Sequence, residues 1–77
     1  MVTKTVSFRG DAAQFQRARV ALQSLSGVVA AEVIPGAAAI RVWQGDELEN
    51  GALLRTLELT GIHGGVISAA SAYNAAE

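Results

Sequence analysis

The sequence predicts a two-layer α+β domain in which two helices cover one face of a four-stranded antiparallel sheet. Strand-like and helix-like patterns follow one another in the order strand, helix, strand, strand, helix, strand. Each helical segment carries one apolar stripe, so each needs a single layer to pack against. The 77 residues suffice for one hydrophobic core and for no second one. Together these three observations predict a ferredoxin-like βαββαβ sandwich.

The first strand and the first helix are predicted from alternation and from a cap. Polar and apolar residues alternate over 4–9, which indicates a strand with Val6 and Phe8 on one face. Asp11 stands where a helix N-cap is expected. The helix is expected to end at Gly27, because glycine accepts the left-handed backbone found at helix ends. Its apolar stripe consists of Phe15, Ala18, Leu22 and Leu25.

A β-hairpin is predicted next. Residues rich in β-branched side chains over 28–34 and 38–43 flank Pro35-Gly36, which is typical of a turn. A second helix is expected to end at Gly61, and a last short strand is expected at 66–67. The stripe of that helix consists of Leu53, Leu54 and Leu57.

Alternation along the hairpin assigns its side chains to two faces. Ile40 and Val42 are expected in the core, while Arg41 and Trp43 face the other way and Glu32 points outward on the preceding strand. We therefore expect one face of the sheet to be partly wet. The whole chain, 1–77, is predicted to be a single domain with its core over about 4–69. The tail over 70–77 shows no clear periodicity.

Composition and charge exclude several classes of function. Hydrophobic residues make up 51% of the chain and charged residues 17%, which is too apolar for a disordered segment. Six basic residues against seven acidic ones give a formal net charge of −1, and the basic residues are scattered, so no nucleic-acid partner is expected. The apolar runs are shorter than the roughly 20 residues that cross a bilayer, so no membrane partner is expected. No signal-peptide pattern is present, and a cytoplasmic location is expected.

The chain contains no cysteine. Disulfides, thiolate metal sites and cysteine nucleophiles are therefore excluded together.

Two stretches resemble a known family. The sequence LQSLSGV at 22–28, followed by AEV at 31–33, resembles the end of the first helix and the second strand of heavy-metal-associated (HMA) domains. The sequence LLRTLELTG at 53–61 resembles the second helix of that family and its terminal glycine. HMA domains occur in copper chaperones and in the N-terminal modules of metal-pumping ATPases. The resemblance covers roughly residues 4–69 and supports the fold more than the function.

The resemblance also implies where a metal site would lie. The family holds a soft ion such as Cu(I) between two thiolates of a Cys-x-x-Cys motif in the first loop. Alignment by the first helix assigns these positions to Asp11 and Gln14, whereas alignment by the first strand assigns them to Ala12 and Phe15. The two alignments differ by one residue, which indicates a first loop one residue shorter than that of the family. Neither alignment supplies a soft donor.

The remaining metal donors are few. His63 lies in the last loop, which in this family approaches the metal site, and Asp11 lies in the first loop. These two weak candidates make at most an open site, since a useful zinc or copper(II) site has three or more donors. We therefore expect no metal and no cofactor, and interpret His63 as a plain loop residue and Asp11 as a helix cap. Asp46, Glu47 and Glu49 are interpreted as charges that stabilise and cap the start of the second helix.

The sequence favours a non-catalytic role. The lone histidine has no carboxylate at a spacing typical of nucleophilic catalysis, and so small a two-layer domain leaves little room for an enclosed pocket. Trp43, Arg41 and Glu32 are the predicted interface residues, because tryptophan and arginine are enriched where proteins bind one another. We expect an HMA-like domain without its metal motif that serves as an interaction or accessory module. Its partner is another protein or a second copy of the chain.

Two alternatives remain open at this point. A small-ligand-binding regulatory module like the ACT domains has the same order of elements, and Phe8-Arg-Gly-Asp11 slightly resembles the first loop of that family. Weak metal binding or trafficking without thiolates, through His63 and Asp11, is the other alternative.

Overall fold

Six secondary-structure elements follow one another along residues 1–68, which are the residues that the structure, a computed structural model, describes. Their order is the one that the sequence predicts. The predicted tail over 70–77 lies outside the described residues. The elements are β1 (Val2–Ser7), α1 (Ala12–Gln23), β2 (Val28–Val33), β3 (Ala39–Gln44), α2 (Asn50–Leu59) and β4 (Val66–Ser68).

The four strands form one sheet in the order β2-β3-β1-β4, and every neighbouring pair is antiparallel. The hairpin of β2 and β3 pairs Glu32 with Arg41 and Val33 with Ile40. A bulge interrupts this pairing between Val28 and Ala30. The predicted ferredoxin-like two-layer architecture is confirmed.

The core lies between one face of the sheet and the two helices. Val6 of β1 and Ile40 and Val42 of β3 have no exposed surface, as the alternation pattern predicts. The ring of Phe8 stacks on that of Phe15 with centroids 4.2 Å apart, which joins the end of β1 to α1. The helices contribute further buried side chains, namely Ala18, Leu22, Leu53 and Leu57.

The element boundaries differ from the predicted ones by one to four residues, and the differences at β1 and α1 matter most for the core. Strand β1 ends at Ser7, so Phe8 is buried just beyond the strand rather than within it. Helix α1 ends at Gln23, four residues before Gly27. The Ser24 hydroxyl donates to Val20 O over 2.9 Å, and its N–H donates to the same oxygen, which completes the last helical turn. The chain then makes a short turn, and Gly27 with φ 99° directs it into β2.

The start of α2 also differs from the expectation. Glu49 occupies the N-cap position, but its side chain makes no capping hydrogen bond. Asp46 instead forms an ion pair with the amino group of Met1 at 3.3 Å. The amino group of Lys4 hydrogen-bonds to Asn50 at the first position of the helix. The acidic residues before α2 therefore do not cap it through their side chains.

Gln44 is the buried polar residue of the core, with no exposed surface at the end of β3. Its Nε2 donates to Leu48 O over 2.7 Å and to Gly45 O over 3.3 Å. Its Oε1 has no hydrogen-bond partner among the described residues. The side chain thereby holds the loop between β3 and α2 against the sheet, at the cost of one unsatisfied buried acceptor.

Within residues 1–68, no helix combines the length and the apolar character needed to cross a membrane.

Replacing Gln44 tests whether its side chain holds the loop between β3 and α2 against the sheet. We expect Gln44→Ala to lower the free energy of unfolding by about 1–3 kcal/mol, because Leu48 O loses its buried donor. Gln44→Met fills the same space and removes the unsatisfied oxygen, so it should cost less than the alanine variant. Urea unfolding measures both, with Gln23→Ala on the exposed side of α1 as the control. Equal losses for Gln44→Ala and Gln23→Ala would contradict the assignment.

Candidate functional site

The outer face of the sheet, which the helices leave uncovered, carries Glu32, Arg41 and Trp43. The strand register places Glu32 of β2 directly across from Arg41 of β3, and Ala30 across from Trp43. The β3 residues that alternate with Arg41 and Trp43 are fully buried, so these two side chains lie on the opposite face. Glu32 and Arg41 are exposed, and Trp43 is half-buried. The structure thus places the three predicted interface residues on one surface.

The neighbours of Trp43 on this face are small. Its cross-strand partners are Ala30 on β2 and Thr3 on β1, and Thr5 lies across from Arg41. Short side chains on both flanks leave the indole as the largest apolar group of β1, β2 and β3 on this face. A rigid aromatic ring in such a setting is the type of group on which protein contacts depend most.

The two charges of this face are not joined to each other. Glu32 and Arg41 face each other across the strands, yet no ion pair within 4 Å links them in the part of the chain that the structure describes. Both side chains extend into solvent. Over the described part of the chain, the face therefore carries a carboxylate and a guanidinium side by side that form no ion pair and whose charges sum to zero.

The first loop ends in a capping box at the start of α1. Asp11 Oδ1 accepts a hydrogen bond from the Gln14 N–H over 2.8 Å, and Gln14 Oε1 accepts one from the Asp11 N–H over 2.9 Å. The interpretation of Asp11 as a helix cap is confirmed. These are the two positions that alignment by the first helix assigns to the cysteines of an HMA domain. Here the side chain of each residue accepts a hydrogen bond from the backbone N–H of the other.

The other alignment places the second cysteine position in the core. Phe15 is 8% exposed and stacks on Phe8, so a donor at this position would point into the apolar interior. Ala12, its partner in that alignment, is exposed on the first turn of α1. The geometry therefore favours positions 11 and 14 as the counterparts of the family's metal site.

One backbone donor at the start of α1 is not available to a ligand carboxylate. The Gln14 N–H, which such a group would use, already donates to Asp11. A Cβ at Gly10 would lie 2.9 Å from Gln14 Oε1, so the side chain of Gln14 fills the space beside the loop. This packing lends no support to an ACT-like ligand site at Phe8–Asp11.

His63 is exposed in the loop between α2 and β4, next to buried Ile62. Across residues 1–68, no group of three or more histidine, cysteine, aspartate and glutamate side chains is arranged to hold a metal ion. Two hard or borderline donors on separate loops do not make a copper(I) site, because that ion prefers thiolates and thioethers.

A depression of about 380 Å³ opens where the outer face meets the loops. It lies between the ends of β1 and β4 and the tip of the hairpin. Arg9 supplies its cationic side chain and Val66, 62% exposed, supplies its apolar one. It holds no carboxylate or histidine among its lining residues, which are Ser7, Phe8, Arg9, Ala38, Gly64 and Val66.

Two features of the site were missed in the sequence. The pattern Asp-x-x-Gln at 11–14 is a capping-box signature, so Gln14 could have been identified as the partner of Asp11. The matching of Ala30 with Trp43 could not have been found, because it depends on the hairpin register. The bulge between Val28 and Ala30 shifts that register away from simple counting.

The fold is that of copper-binding domains of known structure. The yeast copper transporter domain Ccc2a is 14% identical, with a TM-score of 0.74 over 88% of this chain and 96% of that one. A copper-binding domain from the P-type ATPase HMA7 is 22% identical, with a TM-score of 0.76 over 90% and 96%. The Cu(I)-loaded first domain of the human copper chaperone for SOD1 is 22% identical, with a TM-score of 0.73 over 88% and 93%.

No family model and no curated protein sequence matches the chain. At the identities just given, the likeness to these structures establishes the fold alone. By its structure the chain has the fold of these copper-binding domains, and its sequence, which contains no cysteine, has no Cys-x-x-Cys motif.

Two cysteine pairs distinguish the two alignments of the first loop. Asp11→Cys with Gln14→Cys places both thiols at the accessible start of α1, and we expect one equivalent of Cu(I) to bind under reducing conditions. The lost capping box should cost about 1 kcal/mol of stability.

Ala12→Cys with Phe15→Cys is the matched control. It removes a buried ring, which should cost about 3–5 kcal/mol, and we expect no stoichiometric Cu(I) binding. Competition against a colorimetric Cu(I) chelator measures both variants. Equal Cu(I) affinities for the two pairs would show that the assignment of positions 11 and 14 is wrong.

Proposed function

We propose that this chain is a non-catalytic, HMA-like protein-interaction module that binds its partner through the outer face of the sheet. Trp43 is the central contact, and Arg41 and Glu32 are the charged groups beside it. The observation that carries the proposal is the placement of these three side chains on the one sheet face that the helices leave open.

The physical character of this face supports the proposal. A half-buried tryptophan flanked by Ala30 and Thr3 offers a rigid apolar surface that loses little conformational entropy on binding. The free charges of Glu32 and Arg41 can select and orient a partner, since charged groups at an interface contribute specificity. A flat sheet surface of this kind suits a protein partner better than a small ligand.

The donor chemistry argues against metal transport as the main role. The positions that correspond to the family's thiolates hold a carboxylate and an amide that bond to each other's backbone. Metal binding there would first have to break the cap of α1. The proposal therefore takes from the resemblance the scaffold and its open sheet face, and leaves out copper transfer.

The experiment that tests the proposal is partner retention by an immobilised chain. We expect the wild type to retain a specific protein from an extract of its source cells, identified by mass spectrometry. Trp43→Ala should weaken that complex at least tenfold in Kd, because truncation of a central aromatic contact typically costs about 2 kcal/mol or more. Isothermal titration calorimetry with the purified partner gives the two constants.

Leu59→Ala on α2 is the matched control, since Leu59 is a large apolar side chain, 85% exposed, in the helical layer. It should bind the partner as the wild type does. Equal affinity of Trp43→Ala and the wild type for the partner would contradict the proposed face.

Titration with metal ions tests the transport alternative. We expect the NMR resonances of His63 and Asp11 to stay unchanged at one equivalent of Cu(I), Cu(II) or Zn(II), because neither residue belongs to a set of three donors among the described residues. Saturable shifts of both residues at stoichiometric metal would reinstate a metal role.

A thermal-shift screen with amino acids tests the ACT-like alternative, in which a ligand would raise the Tm.

The single-domain organisation over 1–77 and the cytoplasmic location stay predictions.

A further inference from the structure

The outer face of β2 and β3 is complementary to itself. Three successive rows cross the two strands on this face, and each row pairs a large side chain with a small one or an acid with a base. The third row follows from the Ile34 N–H, which donates to Ala39 O over 3.0 Å just beyond the last ladder pair. The rows pair Ala30 with Trp43, Glu32 with Arg41, and Ile34 with Ala39.

This arrangement has a simple consequence for two copies of the chain. A two-fold axis that runs along the strands, midway between β2 and β3, places β2 of one copy over β3 of the other. Trp43 then lies over Ala30 of the second copy, and Arg41 lies over Glu32 of the second copy. Both contacts occur twice, as in any interface with two-fold symmetry.

We propose that this face forms a homodimer by face-to-face packing of the two sheets, in which each Arg41 pairs with Glu32 of the second copy. The inference rests on the proposed function, because it uses the same surface, and it adds the identity of the partner. Packed sheets lie about 10 Å apart with strands nearly aligned, which is the spacing at which inner side chains interdigitate. In the row of Ala30 and Trp43, the small side chain of Ala30, which is partly exposed, leaves space for the indole that arrives from the other copy.

Charge supports a second copy over an unrelated protein. Among residues 1–68, Glu32 and Arg41 are neighbours that form no ion pair, so both charges are available to a second copy. The two-fold axis converts these two unpaired groups into two ion pairs between copies. The other paired positions of β1, β2 and β3 on the outer face are uncharged, so no like charges meet across the interface; they are Thr3, Thr5, Ser7, Ala30, Ala39 and Trp43.

The contact is small. Because it uses only two short strands from each copy, we expect it to cover less than the roughly 800 Å² per partner of a standard interface. We therefore expect a weak dimer that forms at high protein concentration, with Trp43 as its main apolar contact.

Charge reversal tests the proposed pairing. Glu32→Arg gives a chain with two cations on this face, and Arg41→Glu gives a chain with two anions. We expect each variant alone to associate at least tenfold more weakly than the wild type, because like charges then meet across the axis. An equimolar mixture of the two variants should associate again, since the cationic chain matches the anionic one. Sedimentation equilibrium at protein concentrations up to about 1 mM measures all four samples.

The mixture also separates dimerisation from folding. Each variant keeps its own like-charge pair across β2 and β3 when it is mixed, so recovery of association cannot come from repair within one chain. Circular dichroism at low concentration checks that each variant is folded. Arg55→Glu and Glu58→Arg are matched control variants, because they reverse charges on exposed positions of α2 and should leave wild-type association unchanged.

Two outcomes would overturn the inference. A wild type that stays monomeric up to about 1 mM would exclude the homodimer. A wild type that associates, with a mixture that associates no better than the single variants, would place the contact on another surface. Neither outcome decides the proposed function, because a monomeric chain whose partner depends on Trp43 still binds through this face, and calorimetry with that partner measures it independently.

Discussion

Two helices can cover only one face of a four-stranded sheet, and most properties of this chain depend on that limit. The covered face holds the core around Val6, Ile40 and Val42, none of which has exposed surface. The other face has to meet water or another molecule. It does so with small side chains, one acid, one base and a tryptophan. The division between the buried face and the open face of the sheet is therefore set by the number of helices.

Periodicity was enough to predict the layers of the fold. Alternation along β3 assigned Ile40 and Arg41 to opposite faces, and the structure agrees because a one-residue slip would bury the charge. The element ends were harder to predict. The apolar stripe of α1 continues to Leu25, which still packs against the core, although the helix has already ended at Gln23. A side chain in the turn after a helix can continue the apolar stripe of that helix. The stripe alone therefore overestimates the length of the helix.

The candidate site could be predicted only in part, for physical reasons that differ between its residues. Trp43 and Arg41 were identified because residue type and strand alternation suffice for them. The cross-strand neighbour of Trp43 was not identified. Ala30 is a residue type without distinctive chemistry, and its position opposite Trp43 follows from the bulge in β2. Gln44 was also overlooked. A glutamine is normally assigned to an exposed position. Its burial here depends on the hydrogen bond to Leu48 O, and the two groups come together only in the folded chain.

The capping box of Asp11 and Gln14 affects how this domain could acquire a copper(I) site by mutation. Its two hydrogen bonds are reciprocal, so replacement of either residue weakens the start of α1. A single cysteine at either position would remove one of the two hydrogen bonds and would still bind no copper(I), because that ion needs a second soft donor. A first single mutation at position 11 or 14 therefore gives a chain that is less stable than the wild type and has gained no copper(I) site. A copper(I) site on this scaffold therefore needs both replacements together, and the same scaffold carries copper in domains of known structure.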